Sequence, residues 1–164
     1  MAAERLSASS LHNELTASRN IVRLKDIEED FGANCLEEIT AFLYELGLYS
    51  KENPPPYHNV LQRHKGSQAL YVLEEDRGDI IAYIQYMPKN SRSSEHRHPP
   101  QASEDYYVRK GSLYLYQTQI PQGCLTVNSG SKHQVFTHDE PSLTVLVTKN
   151  VLGIPRDKLH IVDR

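Results

Sequence analysis

The chain has no tryptophan, and among its 164 residues only two cysteines, two methionines and three phenylalanines. Two cysteines, Cys35 and Cys124, cannot staple a small secreted scaffold; they read as reduced thiols of a cytoplasmic protein. No apolar run approaches the roughly 20 residues needed to span a bilayer, and residues 1–20 lack the apolar stretch of a secretory signal, so no membrane partner is expected. Neither sign of charge dominates: the formal net charge is −3. This removes the electrostatic reason to expect a nucleic acid or an anionic surface as partner. At 38% hydrophobic residues, the length suits one domain with a single core.

What the chain does have is ten tyrosines and eight histidines. Residues 1–20 are small and polar and read as a frayed arm or weak helix. Residues 34–48 carry the clearest helical pattern. Asn34 with Glu37 three positions on suggests a capping box, and Leu36, Ile39, Phe42, Leu43 and Leu46 recur along one face. That stripe must pack on something: the rest of the domain or a second copy of the chain. Gly47 and the run Asn53-Pro54-Pro55-Pro56 end the helix, and three successive prolines favour an extended spacer. The sequence is therefore divided into an arm, helix and Pro-rich linker over 1–56, and a β domain over 57–164.

From Gln68 onward the apolar period falls from 3.6 to 2. Strands are expected at Ala69–Leu73, Ile80–Met87, Glu104–Val108, Leu113–Gln117, Cys124–Val127, Gln134–Thr137, Leu143–Thr148 and Leu159–Val162. Turn signals such as Arg77-Gly78-Asp79, Lys110-Gly111 and Pro121-Gln122-Gly123 separate them. Many short strands with polar turns indicate an antiparallel sandwich or barrel. No internal repeat is visible, so the chain reads as a single barrel.

Within this β region, His96 and His98 are two apart, so in an extended strand both side chains point to one face. Glu104 follows after a short loop, Gly111 lies seven residues beyond it, and His133 sits on a later strand. Two imidazoles, a carboxylate and a third imidazole can surround one divalent ion. Nitrogen and oxygen donors of this kind suit Fe, Mn, Ni, Co or Zn and leave coordination positions open. The other histidines, His58, His64, His138 and His160, read as solvated.

The pattern His96-x-His98, Glu104, Gly111 resembles the first motif of the cupin superfamily. The glycine that usually leads this motif is Asn90 here, a residue that tolerates the same turn conformation. The second cupin motif is matched by Gly130 and His133, while its leading proline and final asparagine are replaced by Asn128 and Thr137. The resemblance covers about residues 60–150. It implies an all-β, antiparallel double-stranded β-helix or jelly-roll barrel with an N-terminal helical extension. It also implies one divalent transition metal (Fe, Mn, Ni or Zn) on His96, His98, Glu104 and His133.

Cupins of this kind include dioxygenases, isomerases, lyases and non-catalytic binders, and fold does not choose among them. The favoured reading is a dioxygenase-type enzyme acting on a small oxygenated molecule. A sugar or sugar-phosphate isomerase or lyase and a non-catalytic metal- or small-molecule-binding module are the alternatives. Tyr106 and Tyr83 are the candidate proton-transfer residues. Gln85, Met87, Val135, Thr137 and Arg97 are the candidate pocket residues, with Arg97 expected to face away from the metal. Strand Ile80–Met87 offers two faces, Tyr83/Gln85/Met87 and Ile80/Ala82/Ile84, and the former is the better source of polar pocket groups. Tyr107, Tyr114 and Tyr116 on an outer face would fit a homodimer or ordinary surface positions.

Overall fold

A computed structural model describes residues 21–63, 66–99, 102–128, 130–150, 152–155, 158–159 and 161–162. The expectations for residues 1–20, His64 and His160 lie outside the described residues. Among the described residues two helices, α1 (Leu24–Phe31) and α2 (Cys35–Glu45), precede nine strands: β1 (Gln62–Arg63), β2 (Leu70–Asp76), β3 (Ile80–Met87), β4 (Ala102–Gly111), β5 (Tyr114–Leu115), β6 (Thr118–Gln119), β7 (Leu125–Val127), β8 (Val135–Phe136) and β9 (Ser142–Asn150). They form a six-stranded sheet in the order β1-β2-β3-β9-β4-β7 and a three-stranded sheet in the order β6-β5-β8. All named strand pairs are antiparallel.

The large sheet is apolar on both faces, which explains why β3 and β9 read as near-continuous hydrophobic runs. Its outer face is covered by the helices. Ile27, Cys35, Ile39 and Leu43 pack against Val72, Ala82, Ile84, Tyr86 and Val145. Its inner face carries Tyr83, Met87, Tyr106, Val108 and Leu146, which pack with Leu113, Ile120 and Val135. The helical segment is also stitched to the β region by backbone pairing: the amide of Leu24 donates to the carbonyl of Asn59 and that of Leu61 to Val22.

Two details differ from the sequence reading. Asn34 makes no side-chain cap, because its φ of −96° and ψ of 3° depart from the extended conformation a capping residue uses. The capping-type carboxylate lies one helix earlier, where Asp26 accepts the Arg23 amide at 2.8 Å. Tyr107 does not contribute to an open outer face. It meets Phe42 edge-on at 5.3 Å, beneath α2, whereas Tyr116 is 40% exposed.

The turn ending β4 requires glycine. Gly111 has φ +69°, and a Cβ there would meet the Pro141 carbonyl oxygen at 1.8 Å. Asn90 has φ +53°, the left-handed turn conformation in which asparagine replaces the usual glycine.

Candidate metal centre

Three different chain segments bring the candidate ligands together. His96 and His98 lie on the segment after β3, and His96 exchanges backbone hydrogen bonds with His133 at 3.0 and 2.8 Å. That cross-strand pairing, rather than sequence proximity, sets the third imidazole beside the first two. Glu104 projects from the inner face of β4, two residues before Tyr106. The donor atoms of His96, His98, Glu104 and His133 all lie within 4.8 Å of one another. Glu104 Oε1 is 3.5 Å from His98 Nε2 and 3.6 Å from His133 Nε2. These separations are too long for good hydrogen bonds. They match donors sharing one ion: two ligands each about 2.1 Å from a metal stand roughly 3 to 4.2 Å apart.

The environment of each ligand fits the same use. A backbone carbonyl faces the Nδ1 atom of every imidazole: Ser94 for His96 at 3.0 Å, Leu159 for His98 at 2.9 Å and Ser131 for His133 at 2.9 Å. A carbonyl can only accept, so Nδ1 carries the proton and each Nε2 presents its lone pair. Glu104 Oε2 accepts the Thr148 hydroxyl at 2.9 Å, which leaves Oε1 to face the histidines. The three Nε2 atoms and Glu104 Oε1 are buried and face one another. Four buried lone-pair-bearing atoms pointing at one another are costly unless protons or a cation stand between them. The cluster can therefore hold a metal ion.

The electrostatics agree. Burial and the neighbouring His133 lower the His96 imidazole to about 4, so it is neutral at physiological pH. Burial alone would raise the Glu104 carboxyl, but His133 and His98 hold it well below the usual carboxylate range. Burial disfavours the charged form of His98, yet the Glu104 carboxylate outweighs it and the net shift is upward. In the metal-free site a proton near His98 and Glu104 stands where a cation would otherwise provide the positive charge.

A small cavity of about 20 Å³ adjoins the cluster, lined by His96, Glu104, Tyr71, Tyr83, Gln85 and Tyr106 among others. That exceeds the roughly 10–15 Å³ a single water needs and is far below a pocket for a drug-sized ligand. Of the sequence candidates, Tyr106, Tyr83, Gln85 and Val135 line this cavity. Three do not. Met87 is buried on the same inner face, away from the cavity wall. Thr137 is occupied with Ser91, whose amide it accepts at 3.0 Å, and with the Pro88 carbonyl. Arg97 sits on the alternate side of the His96–His98 segment and pairs its backbone with Ile161.

Burial, then the nearby Glu104 carboxylate, raises the phenols of Tyr106 and Tyr83 above the usual tyrosine range. They keep their protons at neutral pH, so they suit donation to a substrate oxygen rather than proton abstraction.

Thr148, Tyr71, Ser67, Ser93, Ser94 and Leu146 also shape the site, and the sequence reading did not single them out. Thr148 ends an apolar run whose two faces could not be told apart. The carbonyl clamps of Ser94, Ser131 and Leu159 have no side-chain signature at all.

No protein-family model matches the sequence, and no curated protein matches it. Solved structures do resemble the fold. One is a double-stranded β-helix protein of Klebsiella pneumoniae, with 15% identity over 56% of this chain and 79% of that one and a TM-score of 0.47. Another is an acetylacetone dioxygenase from Acinetobacter johnsonii, with 12% identity over 54% and 67% of the two chains and a TM-score of 0.45. A variant oxalate decarboxylase from B. subtilis gives 15% identity and a TM-score of 0.51, over 66% of this chain but 30% of the decarboxylase. At these identities the likeness is one of fold. The chain thus shares the antiparallel β fold of that decarboxylase over the matched part, with a cluster of three histidines and one glutamate that can hold a metal ion.

Proposed function

We propose that the protein is a metal-dependent enzyme of the dioxygenase type, acting on a small oxygenated molecule and using one Fe, Mn or Ni ion per chain. The observation that carries this reading is the convergence of four buried donor atoms within 4.8 Å of one another, with His96 and Glu104 of this cluster lining a small cavity. The donor set is hard-to-intermediate nitrogen and oxygen, without the thiolates typical of a closed structural zinc site. A bound divalent ion supplies Lewis-acid polarisation of a substrate oxygen and, if redox-active, electrons for reaction with dioxygen.

The chain's own residues do the rest. The carbonyls of Ser94, Leu159 and Ser131 fix the imidazole tautomers, and Thr148 fixes the carboxylate. Tyr106 and Tyr83, as neutral phenols, offer O–H donors towards charge developing on a substrate oxygen. The apolar packing of Val135 and Leu146 around the cavity limits the entry of bulk water.

The test is elemental analysis of the purified protein together with oxygen consumption on enol and catechol-like compounds. About one Fe, Mn or Ni per chain, lost in Glu104→Ala, with oxygen uptake abolished in that variant, supports the proposal. Metal-dependent turnover of such compounds without oxygen uptake would sink the dioxygenase reading.

The alternatives fare differently. A sugar-phosphate isomerase needs cations to hold the phosphate, and among the described residues no lysine or arginine lines the cavity. Arg109 stacks over Phe42 at 4.0 Å on the helix-covered face. A non-catalytic metal-binding module draws support from one observation, the small size of the cavity. Stoichiometric metal with no ligand or oxygen reactivity would favour it.

A further inference from the structure

Gln85 stands out on the cavity wall. It is 3% exposed, and its amide oxygen Oε1 is buried with no hydrogen-bond partner. It lines the same cavity as His96 and Glu104. Its cross-strand partner on β9 is Thr144, whose hydroxyl is also buried and without a hydrogen-bond partner. A buried amide oxygen without a donor is costly, and natural proteins keep one where a water or ligand completes it. A molecule entering this cavity thus meets two demands. The metal cluster calls for lone pairs, and Gln85 calls for a hydrogen.

Resting on the metal-centre reading above, we infer that Gln85 is a specificity-determining residue that accepts a hydrogen bond from a hydroxyl of the metal-bound ligand. The ligand class is a compact molecule with a hydroxyl beside a carbonyl or carboxylate: a 2-hydroxy acid, hydroxyketone or enol. The cavity of about 20 Å³ has little more room than one water needs, so only the smallest such molecules are candidates. A site with a fixed acceptor rejects the analogue that lacks the hydrogen, because the acceptor is then left buried and unpaired. Tyr83 and Tyr106 carry hydroxyls that can either donate or accept, so neither imposes a fixed acceptor as the Gln85 amide oxygen does. Gln85 is the wall residue that distinguishes a hydroxyl from its ether or keto counterpart.

The test uses the full chain reconstituted with Co(II), whose visible absorption reports both metal binding and entry of a ligand. Glycolate and its O-methyl ether, methoxyacetate, are titrated into wild type and Gln85→Leu. Glycolate binds at least about tenfold tighter than methoxyacetate to wild type, and the preference collapses towards unity in Gln85→Leu. Cobalt stoichiometry stays the same in both. Gln85→Leu also melts at a higher temperature, because the unpaired oxygen is gone, and this shows that it folds. Gln85→Met, with similar length and no amide, gives the same loss of preference should the leucine pack poorly. Equal binding of the two probes to wild type, or a preference that survives both substitutions, overturns the inference while leaving the metal centre intact. A wild-type protein that binds no cobalt overturns the metal-centre reading and this inference with it.

Discussion

Thr148→Val tests whether the carboxylate is held for a metal. The substitution keeps the volume of the side chain and removes only the hydroxyl. Thr148 is 1% exposed and Glu104 3% exposed, and the hydroxyl donates to Glu104 Oε2 at 2.9 Å. Water has little access to replace that donor. A hydrogen bond to a charged buried oxygen contributes about 1.5–3 kcal/mol. Part of that loss falls on the metal-free protein, and part on the metal complex through a carboxylate free to rotate away from the histidines. Groups that orient metal ligands typically contribute about 10–100-fold in affinity, or roughly 1.4–2.7 kcal/mol. The assay is competition for bound zinc or cobalt against a chromophoric chelator at fixed pH, with thermal melting of the metal-free protein beside it. The expected result is affinity reduced by about one to two orders of magnitude with the fold retained. Affinity within about twofold of wild type, far short of the expected loss, would show that Thr148 does not orient a ligand and that Glu104 is an ordinary buried carboxylate.

Other outcomes follow from the same geometry. His96→Ala and His133→Ala lose the bound metal while circular dichroism keeps the β signature; stoichiometric metal in both variants would refute the ligand assignment. In the metal-free protein, His96 stays neutral down to about 4, while an unfolded imidazole protonates near 6.5. A lowered histidine contributes its stability above the unfolded value and loses it as pH falls. His98, shifted upward, has its full stabilising effect below about 6.5, and Glu104, shifted downward, keeps its own down to about 4.5. Melting temperature should therefore drop between about pH 6.5 and 4.5, and a flat profile there would contradict the buried neutral His96. Gly111→Ala combines a left-handed φ with a 1.8 Å approach to the Pro141 carbonyl; the backbone conformation alone costs about 1–2 kcal/mol, so urea denaturation should show at least that loss. Leu43→Ala, at the centre of the helix–sheet contact, should cost about 2–5 kcal/mol without changing metal stoichiometry, which metal analysis after refolding can check.

The sequence by itself picked out the four residues that the fold brings together, because a site able to hold a metal restricts both residue type and spacing. His96 and His98 two apart, Glu104 after a short loop and Gly111 at a turn that no side chain can occupy are marks that remain visible in one dimension. It also determined β3 to the residue, Ile80–Met87, bounded by turn signals at both ends, and the amphipathic α2, whose buried stripe has a clear period. Helix α1 was not legible. Its cap position is Arg23, which gives no start signal, and its eight residues hold too few apolar positions to establish a period.

Only the tertiary structure decided which face of β3 meets the histidine–glutamate cluster. Both faces are apolar because the helices bury one and the small sheet the other, so hydropathy cannot separate them. A bulge between Tyr71 and Leu73 breaks the alternation of β2 in the same way. Tertiary pairing also removed Thr137 and Arg97 from the cavity and added Thr148 and Tyr71. The clamps on the imidazoles come from backbone carbonyls, which every residue has, and from contacts as distant in sequence as His98 to Leu159. Side-chain identity marks which atoms can bind a metal; chain folding alone sets which atoms hold them in place and which wall faces the ligand.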